Sequence, residues 1–251
     1  MLTLTPLPDI PFIRQNDPLA EIILNACHSA NLLLADDDIL ILAQKIVSKA
    51  EGRLVNLADV IPSPRAVQLA EETQKDARIV ELILSESNEI LRTRPGLIIA
   101  EHKQGFVCAN AGIDRSNIPA PDGEYALLLP EDADQSAKEL RHTLEKATGA
   151  RLGVLIIDSH GRAWREGVVG MTIGVSGVPA LVDKRGERDL FGRTLKSTQV
   201  AAADELAAAA SLLMGQGNEG KPVIHARGFP YPLREASLKE LLRPRAHDLF
   251  R

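Results

Sequence analysis

The chain of 251 residues carries 29 Lys and Arg against 34 Asp and Glu, for a formal net charge of −5, and is 45% hydrophobic and 25% charged. These proportions are typical of an ordinary globular protein and exclude disordered, collagen-like and coiled-coil chains, and no stretch approaches the ~20 apolar residues of a membrane span. With no basic excess and only 3% aromatic residues, the chain lacks the charge and the stacking rings expected of a nucleic-acid-binding protein.

The N-terminal part of the sequence predicts a helix followed by a long strand. The opening run MLTLTPLPDIPFIR lacks the basic and then apolar segments of a secretory leader, so we expect a cytoplasmic protein. Asp17 is expected to cap a helix with Pro18 at its first position. The apolar run ILILAQKIVSKAEGRLV, residues 39–55, predicts one buried strand. Cys27 and Cys108 have no metal-binding spacing and are expected to be reduced and buried.

The middle of the sequence predicts a helix, a hairpin and another helix. Ser63-Pro64 begins an amphipathic helix, and residues 97–112 (LIIAEHKQGFVCANAG) predict a hairpin. Asp134 or Ser136 is expected to cap the next helix, which Gly149 ends.

The C-terminal part predicts strands and an alanine-rich helix. RLGVLIID, residues 151–158, predicts a buried strand with Asp158 at its carboxyl end, where α/β sheets commonly bind ligands. The glycine-punctuated residues 168–183 predict strands that other backbone segments approach closely. Thr198 is expected to cap the alanine-rich helix that Gly215 ends.

The segment GQGNEGK, residues 215–221, has most of the spacing of a phosphate-binding P-loop. It fails as one because Pro222 replaces the hydroxyl residue that contacts Mg²⁺, and because the segment follows a helix instead of joining a strand to a helix. On local grounds it is either a helix end with a flexible loop or a different kind of nucleotide contact.

Two carboxylates lie in segments that suit a hard cation. Asp114 and Asn117, in ANAGIDRSN, form either a self-bonded turn or a site in which Asp114 binds Mg²⁺ or Mn²⁺. Asp158 and Ser159, in IIDSHGRAWREG, offer either a helix cap or a carboxylate and hydroxyl pair for a metal.

Basic residues near these segments suit an anionic ligand. Arg162 and Arg165 can form forked hydrogen bonds to phosphate or carboxylate, and the adjacent Trp164 is expected to pack. Lys45 and Lys49 would share one face of the predicted strand and are either solvated or phosphate-binding. Together with the carboxylates and the glycine loop, this set favours metal-assisted chemistry on a phosphorylated ligand.

Five segments, in this order, resemble the coenzyme F420:L-glutamate ligase family, also called coenzyme F420-0 γ-glutamyl ligases. They are IPFIR, VSKAEGR, NAGIDRSN, IIDSHGRAWREG and ADELAAAASLLMGQGNEGKP, and the likeness runs from Ile10 to Gly228. The resemblance implies the α+β fold of that family and an intertwined homodimer. Residues 1–251 are expected to form a single catalytic unit with two lobes that divide near residue 145.

The resemblance also implies a GTP-dependent ligase that needs two Mg²⁺ or Mn²⁺ ions, with K⁺ as an optional further ion. It would join L-glutamate to the lactyl carboxylate of the deazaflavin precursor coenzyme F420-0 and then extend the product through γ-glutamyl linkages. Because an amine does not displace oxide from a carboxylate at neutral pH, we expect transfer of the γ-phosphoryl group to give an acyl phosphate, which the amine attacks.

The family's functional positions fall on specific residues of this chain. The metal positions fall on Asp114 and Asp158, and those of a second ion on Ser159 and Gln216. Asp114, Asp158 and Lys49 are the expected catalytic residues. The guanine-nucleotide positions fall on Ile10, Pro11, Phe12, Ile13, Gln44, Lys45, Lys49, Asn117, Met214, Gly215, Gln216, Gly217, Asn218, Glu219, Gly220 and Lys221.

Three positions depart from the family pattern. Ser159-His160 stands where the family usually has Thr-Phe, Asn218 stands where many members have Asp, and Lys45 stands where a small or hydroxylic residue is common. Two alternatives remain open: a folate-type γ-glutamate ligase and a non-catalytic guanine-nucleotide-binding protein. The second is disfavoured because nucleotide binding alone does not require two metal-binding carboxylates.

Overall fold

A computed structural model describes residues 1–118 and 123–249 of the chain. The helices are α1 (Leu19–Ser29), α2 (Gln44–Ala50), α3 (Pro64–Thr73), α4 (Ala77–Ser85), α5 (Ala133–Thr148) and α6 (Ala202–Met214). The strands are β1 (Thr3–Pro6), β2 (Ile39–Ala43), β3 (Leu54–Asn56), β4 (Ser87–Arg94), β5 (Leu97–His102), β6 (Val107–Ala109), β7 (Tyr125–Leu127), β8 (Gly153–Arg162), β9 (Arg165–Ser176), β10 (Val182–Asp183), β11 (Gln199–Val200) and β12 (Val223–Arg227).

A five-stranded sheet in the order β1-β12-β2-β8-β9 forms the centre of the molecule. Only its β2–β8 pair is parallel, and the other pairs are antiparallel. Leu40 and Leu42 of β2 pack in a core with α1 and α5, whereas Ile39 and Ile41 pack in a second core with α6 on the opposite face. Because both faces of β2 are covered, its sequence is continuously apolar instead of alternating.

A third hydrophobic core lies between helices α3 and α4 and the two small sheets β4-β5-β6 and β3-β7. The α+β class is therefore confirmed. The predicted division near residue 145 falls inside helix α5, and the two-lobed organisation stays a prediction. No helix within residues 1–118 and 123–249 is both long and apolar enough to cross a membrane, and the cytoplasmic location stays a prediction.

The interpretation of residues 39–55 as one strand is wrong. The segment forms β2, helix α2 and β3 in succession. Inside α2 the Ser48 hydroxyl donates to Gln44 Oε1 at 2.8 Å, the one-turn spacing of a helix. Lys45 and Lys49 do share a face, but because they are four residues apart on a helix rather than on a strand.

Two predicted N-caps of helices are wrong. The Asp17 carboxylate accepts a hydrogen bond from the Arg14 backbone N–H at 2.7 Å, and Pro18 precedes helix α1, which has no side-chain cap. Thr198 lies before strand β11, and α6 begins only at Ala202, also without a side-chain cap.

Helix α5 is capped earlier than predicted. Its cap is Asp132, whose side chain accepts from the Gln135 N–H, and neither Asp134 nor Ser136 has that role. Asp134 instead accepts backbone N–H groups of Val175 and Leu238, at 2.8 and 2.9 Å, and so ties the helix to β9 and to the C-terminal segment.

Other local predictions are confirmed. Ser63 caps α3, although a left-handed residue, Gln74, divides the predicted helix into α3 and α4. The β5–β6 hairpin forms, and Cys27 and Cys108 are free and buried.

Candidate functional site

A cavity of about 450 Å³ opens where the parallel pairing of strands β2 and β8 ends. This volume lies within the ~300–1,000 Å³ typical of small-molecule sites. The cavity is lined by all sixteen residues on which the family's guanine-nucleotide positions fall, together with Asp158 and Ser159. Those sixteen are residues 10–13, Gln44, Lys45, Lys49, Asn117 and residues 214–221.

The two lysines of α2 hold the loop that carries Asp114. Lys45 Nζ lies 2.7 Å from Asp114 Oδ2 and donates to Ser116 Oγ at 2.8 Å. Lys49 Nζ donates to the Asn117 carbonyl at 2.7 Å. Asp114 does not belong to the cavity lining formed by the described residues, but it contacts Lys45, which does.

The charges of this group depend on one another. Burial raises the pKa of Asp114, but hydrogen bonds from Lys45 and Ser116 outweigh it, so the pKa lies below its ordinary value. Burial and the neighbouring Lys45 lower the pKa of Lys49, and Asp114 partly opposes this. Asp114 is therefore a carboxylate at neutral pH.

Asp158 lies at the end of the parallel pairing but not at the end of its strand. The β2–β8 ladder ends at the pair Ala43 and Ile157, and β8 continues to Arg162 as a hairpin with β9. The prediction that the strand ends at Asp158 is therefore wrong. Its position at the mouth of the parallel pair is confirmed.

Buried His160 accompanies Asp158 on the same strand. His160 Nε2 lies 3.1 Å from Asp158 Oδ2, and the two side chains are 7% and 15% exposed. The ring also lies 5.5 Å, centroid to centroid, from Phe106, which stacks on His102. His160 is thus a packed partner of the carboxylate, a role that the sequence did not reveal.

The glycine loop, residues 215–221, forms another part of the cavity lining. Gly215 ends α6 with a φ of 76°, as predicted. The Asn117 side-chain amide donates to the Gly217 carbonyl at 2.9 Å, and Ser159 Oγ donates to Gln216 Oε1 at 2.7 Å. The loop therefore contacts both carboxylate-bearing segments.

The oxygen atoms at this site fit a small divalent cation. Mg²⁺ and Mn²⁺ prefer carboxylate, hydroxyl and amide oxygens, which Asp158, Ser159 and Gln216 supply. The 2.7 Å between Ser159 Oγ and Gln216 Oε1 is close to the ~2.9 Å between neighbouring oxygens of an octahedral Mg²⁺ shell. Within the described part of the chain there is no group of three or more His, Cys, Asp or Glu that could hold a metal ion, so phosphate oxygens of a ligand would have to complete the shell.

Cysteine chemistry does not contribute at this site. Burial, reinforced by the negative charge of Asp158, raises the pKa of the Cys108 thiol to about 12. The thiol is therefore protonated at neutral pH, and Cys108 does not belong to the cavity lining that the described residues form.

Three residues of the segment IIDSHGRAWREG lie away from the cavity. Arg162 donates to the carbonyls of Glu166 and Gly167 within its own hairpin, and neither it nor Arg165 belongs to the lining that the described residues form. Trp164 is 87% exposed at the hairpin turn, so the expected packing does not place it in a hydrophobic core.

Ser211 is a cavity residue that sequence reasoning missed. Its hydroxyl accepts from the Gly170 N–H at 3.2 Å and from Gln216 Nε2 at 3.5 Å. The sequence feature that could have pointed to Ser211 is that it is a single serine among the alanines of α6, one turn before Gly215.

These features define a class: an α+β protein whose central sheet carries, at the mouth of one parallel strand pair, a cavity lined by oxygen ligands, lysines and a glycine loop. Residues 9–228 match the family model described as F420-0:Gamma-glutamyl ligase. The chain belongs to this family.

Curated relatives agree with this assignment over nearly the full length. A protein from Methanothermobacter thermautotrophicus named Coenzyme F420:L-glutamate ligase is 48% identical, with 100% of this chain and 99% of the relative covered. A protein of the same name from Methanopyrus kandleri is 47% identical, with 100% and 98% covered. One from Methanocaldococcus jannaschii is 46% identical, with 87% and 86% covered.

Proposed function

We propose that this protein is a GTP-dependent ligase that joins L-glutamate to coenzyme F420-0 and extends the product through γ-glutamyl linkages. The observation that carries the proposal is that all sixteen carried-over nucleotide positions, scattered between residues 10 and 221, line one cavity beside Asp158 and Ser159. Family membership supplies the identity of the acceptor and of the amino acid.

The proposed reaction activates the acceptor carboxylate as an acyl phosphate. The bond between the γ-phosphorus and the bridging oxygen of GTP breaks, and a carboxylate oxygen bonds to that phosphorus, releasing GDP. The glutamate amine then attacks the acyl carbon, phosphate leaves, and the amine proton passes to solvent. The products are an amide, GDP and phosphate.

The chain's own groups would hold the reactants in line. Lys49 and the N–H groups of the 215–221 loop supply fixed positive potential along the phosphates. Asp158, Ser159 and Gln216 of the cavity lining, together with Asp114, which contacts the lining residue Lys45, would hold Mg²⁺ or Mn²⁺. The ion neutralises charge on phosphoryl oxygens when bound.

The experiment is incubation of the protein with GTP, Mn²⁺, L-glutamate and F420-0, followed by mass spectrometry of the acceptor. A product heavier by one or more glutamyl residues, with stoichiometric GDP, supports the proposal. GDP formed only with a folate acceptor would favour the folate-type ligase, and nucleotide binding without turnover would favour a non-catalytic binding protein.

Variants at the two carboxylates test the metal assignment. Asp114→Asn and Asp158→Asn should each collapse turnover while circular dichroism stays unchanged, because an amide replaces an anionic metal ligand. Asp59→Asn, on an exposed residue outside the cavity lining, is the matched control. Near-normal turnover of either site variant at saturating Mn²⁺ would remove that residue from the metal site.

We further propose a homodimer and an activating effect of K⁺. Light scattering measures the first, and replacement of K⁺ by Na⁺ in the assay measures the second. A monomer mass, or equal rates in both salts, would refute the respective statement.

A further inference from the structure

The ammonium group of Lys45 is fully engaged by the Asp114 loop. Its Nζ lies 2.7 Å from Asp114 Oδ2, 2.8 Å from Ser116 Oγ and 3.3 Å from the Ser116 carbonyl oxygen. An ammonium has three N–H donors, so these three acceptors match its capacity. The Lys45 and Asp114 side chains are 25% and 30% exposed, so the contact is partly shielded from water.

This arrangement uses both oxygens of Asp114. Oδ1 accepts the Ser116 backbone N–H at 2.6 Å, and Oδ2 receives the Lys45 ammonium. The Asp114 backbone is held by reciprocal hydrogen bonds with Leu127, at 3.0 and 2.8 Å. The carboxylate is therefore held by its own loop, whereas Lys45 reaches it from the separate helix α2.

A divalent cation at Asp114 would compete with this ammonium. Such an ion binds carboxylate oxygen at ~2.0–2.2 Å, which places it within a few ångströms of Lys45 Nζ. Two cations at that separation repel strongly in a partly shielded site. Lys45 also lines the cavity, so its long side chain can turn from Asp114 toward an anionic ligand there.

We propose that Lys45 is a built-in counterion of Asp114, which a divalent cation must displace and which then pairs with ligand phosphate. Lys45 is thus a positioning residue that weakens metal binding to the free protein and couples metal binding to nucleotide binding. The inference rests on the metal role given to Asp114 in the proposed function.

The test is titration of the full-length protein with Mn²⁺, with free Mn²⁺ followed by electron paramagnetic resonance. Without nucleotide, Lys45→Met should bind Mn²⁺ more tightly than the original chain by about fivefold or more, the lower end of typical coupling factors. Lys45→Arg, which keeps the charge, should bind as weakly as the original chain. A non-hydrolysable GTP analogue should tighten Mn²⁺ binding in the original chain more than in Lys45→Met.

Asp114→Asn, alone and combined with Lys45→Met, separates the possible failures. If Asp114→Asn changes Mn²⁺ binding in neither background, the metal role of Asp114 fails and the counterion proposal fails with it. If Asp114→Asn weakens Mn²⁺ binding but Lys45→Met binds no more tightly than the original chain, only the counterion proposal is overturned. Lys45→Gln repeats the comparison if the Met variant does not fold.

Discussion

Two glycines of β9 mark places where helices lie directly against the central sheet. A Cβ built on Gly170 would lie 2.5 Å from Ser211 Cβ and 2.6 Å from the Ala207 carbonyl oxygen of α6. A Cβ on Gly174 would lie 2.5 Å from the carbonyl carbon and 2.7 Å from the Cβ of Ala133, in α5. The predicted close backbone approaches along residues 168–183 are confirmed at these two glycines.

Alanine at either glycine should destabilise the protein substantially. Overpacking a well-packed core costs ~1–3 kcal/mol, and the upper end applies because helix backbone, not a flexible side chain, must move. At roughly 2–4 °C per kcal/mol for a chain of this size, a cost of about 3 kcal/mol lowers the melting temperature by about 6–12 °C. Gly161→Ala is the matched control, since a Cβ there meets no atom within 4 Å.

The two variants should differ in their effect on the site. Gly170 faces Ser211, whose hydroxyl contacts Gln216, so Gly170→Ala should weaken binding of a GTP analogue as well as stability. Gly174 faces α5, away from the glycine loop, so its alanine variant should lose stability alone. Differential scanning calorimetry and isothermal titration measure the two effects. Melting temperatures within 1–2 °C of the original chain for both variants would refute the packing argument.

Three further outcomes follow from the structure. Burial raises the pKa of Asp38, but hydrogen bonds from Arg227 and the Ala35 N–H, with His225 Nε2 at 2.9 Å, hold the pKa below its ordinary value. The stabilisation by Asp38 is therefore present above the unfolded-state pKa and is lost as pH falls through the folded-state pKa. Asp38→Asn should therefore lower the free energy of unfolding in urea at pH 7 by about 1.5–3 kcal/mol, the contribution of hydrogen bonds to a charged group. This loss should shrink in acid, and an equal loss at both pH values would contradict the reasoning. Lys49→Met should weaken GTP-analogue affinity about tenfold or more, through loss of a charge-assisted contact, and unchanged affinity in calorimetry would count against a phosphate role. Ser159→Thr should retain Mn²⁺ affinity in the presence of nucleotide, whereas Ser159→Ala should lose it. Equal Mn²⁺ affinities of the two variants, measured by electron paramagnetic resonance, would exclude the hydroxyl as a ligand.

Local sequence patterns correctly predicted the ends of those helices that end at a glycine with positive φ. Gly149 and Gly215 end their helices because glycine tolerates positive φ, with values of 74° and 76°. Helix α2 was missed because the apolar run of β2 continues into it without glycine or proline at the boundary. Ala43 remains extended and Gln44 begins the helix, a change that hydrophobicity alone does not encode.

The candidate site was predictable in residue types but not in pairings. The motifs indicated carboxylates, lysines and a glycine loop, and the structure gathers most of them around one cavity. The contact between Lys45 and Asp114 depends on how α2 and a loop of the third core meet, and no local pattern specifies that. The contact of His160 with Asp158 could not be predicted either, since the sequence does not distinguish a buried histidine from an exposed one.

The glycine loop is not a P-loop, but this difference does not exclude a role in nucleotide binding. A P-loop places phosphate at a helix N-terminus, where the helix dipole is positive, whereas residues 215–221 follow the C-terminus of α6, where the dipole is negative. Phosphate held here needs positive charge from elsewhere, and Lys45 and Lys49 reach this cavity from α2. The N–H groups of the loop are hydrogen-bond donors for an anion, as the Gly217 N–H shows by donating to the Glu219 carboxylate at 2.8 Å. Lysines on a neighbouring helix and loop amides can thus together bind the same anion that a P-loop binds. In a P-loop the helix dipole supplies part of the positive potential, whereas here the lysines would have to supply it.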